Sequence, residues 1–368
     1  MRESSAHDAC DRGLPAERRA RSAHATLFPA VDGEGRGTLV REPLGDHFGR
    51  TLTYLRVSVT ERCNMRCEYC TLPGLATRFD RDELLGPAEF DRLLAVFQDL
   101  GIRHVRFTGG EPLIYPDLVG RIAQARALGF SQLSLTTNGY LLARHAAAIS
   151  AAGLDRINVS LDSLDRERYA RITCGGDLRH VLRGLDRARE VIGRIKLNVV
   201  LLRDRNLDEL PTLVAFAIAQ GFDIQFIETM PLGAAGKAAI ARSYASVAVA
   251  HARIAERYAL RPLPHQIDRG PAQCFQVEGT DTHLGFVSPI SDRFCESCNR
   301  LRLTATGRLV YCLGQTQGVD LREPLRAGEP PERLAALIRT HVWRDKPERH
   351  EFSEDGLVVP VRMMAIGG

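Results

Sequence analysis

Three cysteines fall within eight residues, Cys63, Cys67 and Cys70, in a C-x3-C-x2-C spacing with Tyr69 just before the last. Thiolates are soft ligands, and three this close together can wrap one iron–sulfur cluster. A four-iron cluster needs four ligands, so one iron would stay open for a small molecule. Structural zinc takes four ligands, commonly as two close pairs, and no fourth Cys or His stands near this run. A disulfide framework does not suit a chain of 368 residues for which no secretory leader is expected. A second triad, Cys295, Cys298 and Cys312, has C-x2-C-x13-C spacing. Cys274 and His283 are too poorly spaced to complete a zinc ribbon. A second cluster with an open iron, this one facing substrate, is the sharper expectation.

Two further features could serve these centres. Gly109-Gly110-Glu111-Pro112 is a tight-turn sequence that offers backbone carbonyls and a carboxylate, the acceptors an ammonium group needs. Arg56, Arg106, Lys196, Arg300 and Arg302 supply cations of the kind a polyphosphate requires, since guanidinium forks match phosphate oxygens two at a time.

Something must bring these groups together. From residue 52, short apolar and β-branched runs (52–59, 104–107, 132–135, 156–159, 196–202, 224–227) alternate with helical patterns (89–100, 118–128, 141–152, 178–192, 207–220). Repeated strand–helix units predict a parallel sheet with helical crossovers. Six units are too few for a closed eightfold barrel and enough for an open, curved α/β one. Polar or glycine-rich residues follow five of the six strands, so the motifs converge on the carboxyl-end rim, where βα-barrels carry their chemistry. Beyond about residue 240 the rhythm changes. Short apolar runs at 275–277, 285–287 and 301–303 predict strands of a small second layer, and a helix follows near 332–341.

Lys and Arg exceed Asp and Glu by only 49 − 45 = 4, too mild a balance to indicate nucleic acid. No apolar run approaches the ~18 residues of a membrane span. The chain therefore reads as cytoplasmic, with reduced cysteines. Residues 1–45 are rich in Arg, Ala, Ser, Asp and Gly with little periodicity and read as a disordered extension. The partial barrel is expected over 46–240 and the auxiliary-cluster region over 241–368.

Taken together, these residues resemble the radical S-adenosylmethionine (SAM) superfamily and, within it, the GTP 3′,8-cyclase family of molybdenum cofactor biosynthesis. The likeness rests on Leu55-Arg56-Val57-Ser58-Val59-Thr60 before the first triad and on Gly285-Phe286-Val287-Ser288-Pro289. It rests equally on Cys295-Glu296-Ser297-Cys298-Asn299-Arg300-Leu301-Arg302, on Cys312-Leu313, and on the terminal Gly367-Gly368. The resemblance implies an incomplete (βα)6 radical SAM barrel whose C-terminal extension carries a second [4Fe-4S] cluster. It implies that Cys63, Cys67 and Cys70 hold the SAM cluster, with Tyr69, Gly110, Ser160 and Met230 contacting SAM. Cys295, Cys298 and Cys312 would hold the second cluster, facing guanine. Arg56, Arg106, Thr136, Lys196, Arg300, Leu301 and Arg302 would contact GTP, with Arg56, Arg300, Arg302, Gly367 and Gly368 the catalytic set.

The implied reaction begins when reduced cluster cleaves SAM to methionine and a 5′-deoxyadenosyl radical. That radical removes hydrogen from C3′ of GTP, C3′ attacks C8, and an electron and a proton complete (8S)-3′,8-cyclo-7,8-dihydroguanosine 5′-triphosphate. An external electron donor, a downstream cyclic pyranopterin synthase and a homodimer accompany this reading. A peptide-modifying radical SAM maturase would carry more C-terminal cysteines, and an RNA-binding iron–sulfur or zinc protein a contiguous basic stripe with aromatics. Departures from the family pattern are the leader, Cys274 in place of an aromatic, and Gly314 where a bulky apolar residue is expected.

Overall fold

The structure, a computed structural model, describes residues 43–71, 81–264, 270–350, 352 and 363–367. The extension expected at 1–45 lies almost wholly outside the described residues, as does Gly368. Leu44 is already in the core, 1% exposed, with its backbone paired to Leu52 and Leu100.

Six strands carry the alternation read from the sequence: β1 (Tyr54–Ser58), β2 (His104–Thr108), β3 (Gln132–Thr137), β4 (Arg156–Ser160), β5 (Arg194–Val200) and β6 (Asp223–Ile227). They pair in parallel in that order. Helices α1 (Pro87–Asp99), α2 (Leu118–Ala127), α3 (Leu142–Ala151), α4 (Arg166–Ile172), α5 (Leu178–Arg189) and α6 (Leu210–Gln220) make the crossovers. On each strand one residue set faces the helices. Leu55, Val57, Val105, Phe107, Leu133 and Leu135 are at most 1% exposed and form the core. The alternate set faces inward and is polar, so the strands enclose a wet interior.

The local chemistry fits each element. Pro87 opens α1, where its missing N–H costs nothing, and the Glu89 carboxylate accepts from the Gly86 amide at 2.6 Å. Asp177 caps α5 by accepting from the Arg179 amide. Gly221 ends α6 at φ +69°, the left-handed conformation glycine adopts without strain.

After α7 (Gly233–Ser243) and α8 (Val247–Ala255) come β7 (Leu260–Pro262), β8 (Gln273–Val277), β9 (His283–Val287), β10 (Arg300–Leu303), β11 (Arg308–Val310) and β12 (Gly318–Asp320). These do not stack as a second layer, which corrects the expectation for 275–303. β9 adds in parallel to β6, and β10 adds in parallel to β1. The sheet order is β12-β11-β10-β1-β2-β3-β4-β5-β6-β9-β8-β7. The six-stranded partial barrel is thus widened to eight parallel strands. Antiparallel strands border both sides, and the sheet stays open. Edge pairing satisfies backbone donors that a separate three-stranded layer would leave exposed. After α9 (Arg322–Arg326), α10 (Pro331–Asp345) covers α1, and α11 (Met363–Ile366) returns to lie on β1. Among the described residues no helix is long and apolar enough to cross a membrane.

Candidate active site

The first triad occupies the loop that leaves β1, and its neighbours fix that loop from three sides. Gly110 N donates to Thr60 O and Glu111 N to Arg62 O, both at 2.7 Å. A Cβ on Gly109 would stand 2.4 Å from Thr60 O, and one on Gly110 2.2 Å from Arg62 O. Only glycine lets the two backbones approach so closely. Arg66 N and Glu68 N donate to Thr173 O and Ile172 O at the end of α4. Asn138, after β3, reaches Asn64 Oδ1 at 2.8 Å and Cys63 Sγ at 3.8 Å.

Glu111 is held firmly by its neighbours. Its carboxylate, 1% exposed, accepts from Leu113 N (3.0 Å), Thr137 Oγ1 (2.7 Å) and Asn138 N (2.7 Å). It ties the ends of β2 and β3 together. Tyr69 Oη likewise donates to Asp162 Oδ2 at 2.7 Å, and Asp162 Oδ1 accepts from Val200 N at 2.8 Å. Asn138 and Asp162 hold the loop, yet nothing in their sequence spacing marked that role.

Burial pushes the Cys63 thiol up to about 11, with Glu111 and Cys70 adding to it. Burial also raises Cys67 well above its ordinary value, assisted by Asp162, Cys70 and Cys63, and it raises Cys70. Three thiols that resist one another's ionisation suit a site that a cationic cluster would complete. Among the described residues no His, Cys, Asp or Glu trio is already closed to metal-bonding geometry.

The inward residues of the strands line one cavity. Register places Arg302, Arg56, Arg106, Ser134, Arg156 and Arg194 in one continuous row across β10, β1, β2, β3, β4 and β5. The next row runs Thr136, Asn158, Lys196, Asp223, and Ser160 lies one step further along with Asn198. Seven cavity residues are Arg or Lys and one, Asp223, is acidic. Asp223 pairs with the half-exposed Arg194 at 3.2 Å, and the excess of cations suits an anionic ligand. Burial drives Arg56 well below its usual value, with Arg302 and Arg106 contributing. Burial and then Arg300 bring Arg302 to about 10, while burial and then Arg106 bring Arg156 to about 10. Burial lowers Lys196 to about 8 against the opposing pull of Asp223. The buried Thr136 Oγ1 and Arg156 Nε have no hydrogen-bond partner among the described residues; Arg156 lines the cavity and Thr136 does not.

Of the expected substrate residues, Arg56, Arg106, Lys196, Arg300 and Arg302 do line this cavity, as does Met230. Leu301 does not. Its side chain is 0% exposed in the apolar core, because alternation turns it away from Arg300 and Arg302, so only its backbone is available. Arg156, Arg194 and His104 escaped the sequence reading. The signal for the two arginines was their even spacing from Asn158 and Lys196, which puts them on the inward face. His104 stacks on Tyr54 at 4.0 Å and lies 2.9 Å from Ser134 Oγ and 3.2 Å from Arg156 Nη2.

The second triad sits at the other end of the same strand pair. Cys298 stands two residues before Arg300, which is in register with Tyr54 at the start of β1, whereas Cys63 follows the end of β1. Cys295, Cys298 and Cys312 line a pocket with Arg300, Arg302, Lys346 and His350. Burial raises Cys312. At Cys298 burial is outweighed by Arg300 and Lys346, and the thiol falls to about 6. Arg50 fastens this region, donating to the carbonyls of Cys295 (3.0 Å), Pro347 (2.6 Å) and Glu348 (2.7 Å). Gly314 is explained here: a Cβ would lie 2.5 Å from His350 Cβ, and Phe352 fills the space beyond. The tail also enters the barrel. Gly367, at φ +74°, packs so that a Cβ would meet Thr108 Cγ2 at 2.5 Å.

Residues 57–217 match the model of the radical SAM superfamily, and residues 222–352 match that of Molybdenum Cofactor Synthesis C. A protein of Paracoccus denitrificans (strain Pd 1222) named GTP 3′,8-cyclase is 45% identical over 313 residues, 84% of this chain and 90% of that one. A protein of the same name from Ectopseudomonas mendocina (strain ymp) is 43% identical over 329 residues, 88% and 98% of the two chains. Among solved structures, Streptococcus suis SuiB bound to S-adenosylmethionine superposes with a TM-score of 0.58. It is 15% identical and covers 78% of this chain and 68% of that one, a likeness of fold.

Proposed function

Because the chain belongs to the GTP 3′,8-cyclase family of radical SAM enzymes, we propose that it converts GTP to (8S)-3′,8-cyclo-7,8-dihydroguanosine 5′-triphosphate, the first step of molybdenum cofactor biosynthesis. The observation that carries this reading is the row of guanidinium groups, with Arg302 buried, set between two cysteine triads at opposite ends of one strand pair.

Cys63, Cys67 and Cys70 would hold a [4Fe-4S] cluster, and their soft, mutually repelling donor set fits one. With SAM bound, that cluster would supply the radical chemistry that takes hydrogen from C3′ of the ribose. Tyr69, Gly110, Ser160 and Met230 would bind SAM, with Asp162 fixing the Tyr69 ring. Cys295, Cys298 and Cys312 would hold the second [4Fe-4S] cluster, where the guanine docks.

Arg56, Arg106, Lys196, Arg300 and Arg302 are the cations for the triphosphate-bearing substrate, and the buried Thr136 hydroxyl behind them lacks a partner among the described residues. Their forks would orient the nucleotide so that C3′ is presented to the first centre and C8 to C3′. Arg302 and the tail at Gly367, joined by a hydrogen bond, would close the interior against water. Electrons come from an external donor.

Anaerobic turnover of cluster-loaded protein with SAM, reductant and GTP tests the reading. Cyclised GTP and 5′-deoxyadenosine are expected together. 5′-Deoxyadenosine alone would assign the barrel another substrate.

A further inference from the structure

Lys346, immediately after α10, has no motif around it, yet it is among the most enclosed charges in the protein, 2% exposed. Its Nζ donates to the carbonyls of Arg300 (3.2 Å) and Tyr311 (2.8 Å). Those carbonyls stand two residues after Cys298 and one before Cys312. A single ammonium therefore bridges both arms of the second triad.

A buried ammonium needs counter-charge. The nearby carboxylate of Asp46 is held by Arg50 at 2.6 Å, and among the described residues no carboxylate lies within salt-bridge distance of Lys346. Cys298 and Cys312 share its pocket. An ammonium has three donors. Two go to the carbonyls, and one remains for a sulfur. This is the arrangement of a cation built to face an anionic centre.

We propose that Lys346 is a positioning and charge-compensating residue of the second cluster, and that its fixed positive charge favours the reduced cluster and raises its midpoint potential. Reduction by one electron adds one negative charge to a centre whose ligands are already anionic, and a nearby cation stabilises that added charge. The inference rests on the reading of Cys295, Cys298 and Cys312 as a four-iron site.

The test uses the full chain carrying Cys63→Ala, Cys67→Ala and Cys70→Ala, so that iron can bind only at the second triad. After anaerobic reconstitution without GTP, iron content is measured and the cluster is titrated with dithionite under electron paramagnetic resonance. This is repeated with Lys346→Met and Lys346→Arg. The potential should move negative in Lys346→Met and stay near the parent value in Lys346→Arg. Iron retained with an unmoved potential in Lys346→Met overturns the proposal and leaves the cluster assignment standing. Loss of iron from both variants reduces Lys346 to a packing clamp and also overturns it. Loss from Lys346→Met alone, with Lys346→Arg at the parent potential, supports it. A parent that binds no iron overturns the assignment and the proposal together.

Discussion

Arg302 on β10 donates through one guanidinium nitrogen to the carbonyl of Gly367 and, at 3.4 Å, to that of Ile366. The contact joins the chain's last described turn to the β10 end of the cationic row, beside Arg56, its register partner on β1. A carbonyl near a guanidinium disperses charge without neutralising it. The row thus keeps its affinity for an anion while the tail is held over the cavity.

Gly367→Ala should remove that seat. A Cβ there would lie 2.5 Å from Thr108 Cγ2 on a backbone at φ +74°, so the tail must move. Misplacement on this scale near a reacting group costs about 10²-fold in rate. Turnover to cyclised GTP should fall by that order, with the thermal midpoint barely changed. A turnover rate equal to wild type would show that the tail is dispensable.

Arg106 hydrogen-bonds Ser134 Oγ at 3.1 Å and stacks over Tyr54 at 5.4 Å, close to Arg56 and Arg156. Holding like charges together in a low-dielectric interior destabilises the free protein, as functional sites commonly do. Arg106→Met should leave the ligand-free melting midpoint at or above wild type. It should weaken GTP binding about tenfold or more, from loss of a charged hydrogen bond worth roughly 1.5–3 kcal/mol. Calorimetry of both proteins, with and without GTP, checks the two signs at once.

His104 is held neutral. Burial, then Arg106 and Arg156, drive it from 6.5 down to about 2. A depressed folded value means that the unfolded chain takes up the proton first. The stability contribution is complete above about pH 6.5 and is lost progressively as pH falls towards 2. The slope approaches ~1.4 kcal/mol per pH unit. Urea midpoints between pH 7.5 and 5 should fall less steeply in His104→Phe, which retains a ring against Tyr54 but cannot titrate. Parallel slopes would contradict the assignment.

Much of the site was legible in the chain because it depends on local order. The two triads are short-range patterns. The six strands alternate clearly because one face packs on helices and the other lines a cavity. What could not be read is non-local. Nothing in 275–303 says that β9 and β10 will extend an existing sheet, since pairing partners lie 60 and 246 residues away. Leu301 looked like part of a binding segment until alternation turned it outward. Arg156 and Arg194 belong to the cationic row only once the register is known, and Lys346 reaches the second triad through the fold alone.

Gly314 gives a packing test. In Gly314→Leu the new side chain must displace His350 and Phe352, an overpacking that typically costs ~1–3 kcal/mol. A lowered urea midpoint and reduced iron retention at the second triad are expected, with iron at the first triad unaffected. Wild-type values for all three would show that the segment yields freely.

In the proposed reaction the cavity presents C3′ of GTP to the SAM end of the barrel. Turnover of [3′-²H]GTP in anaerobic single-turnover conditions, followed by mass spectrometry of 5′-deoxyadenosine, tests it most directly. The expected result is 5′-deoxyadenosine heavier by one deuterium, appearing together with cyclised product that has lost the label. Unlabelled 5′-deoxyadenosine with deuterium retained in the nucleotide would contradict it.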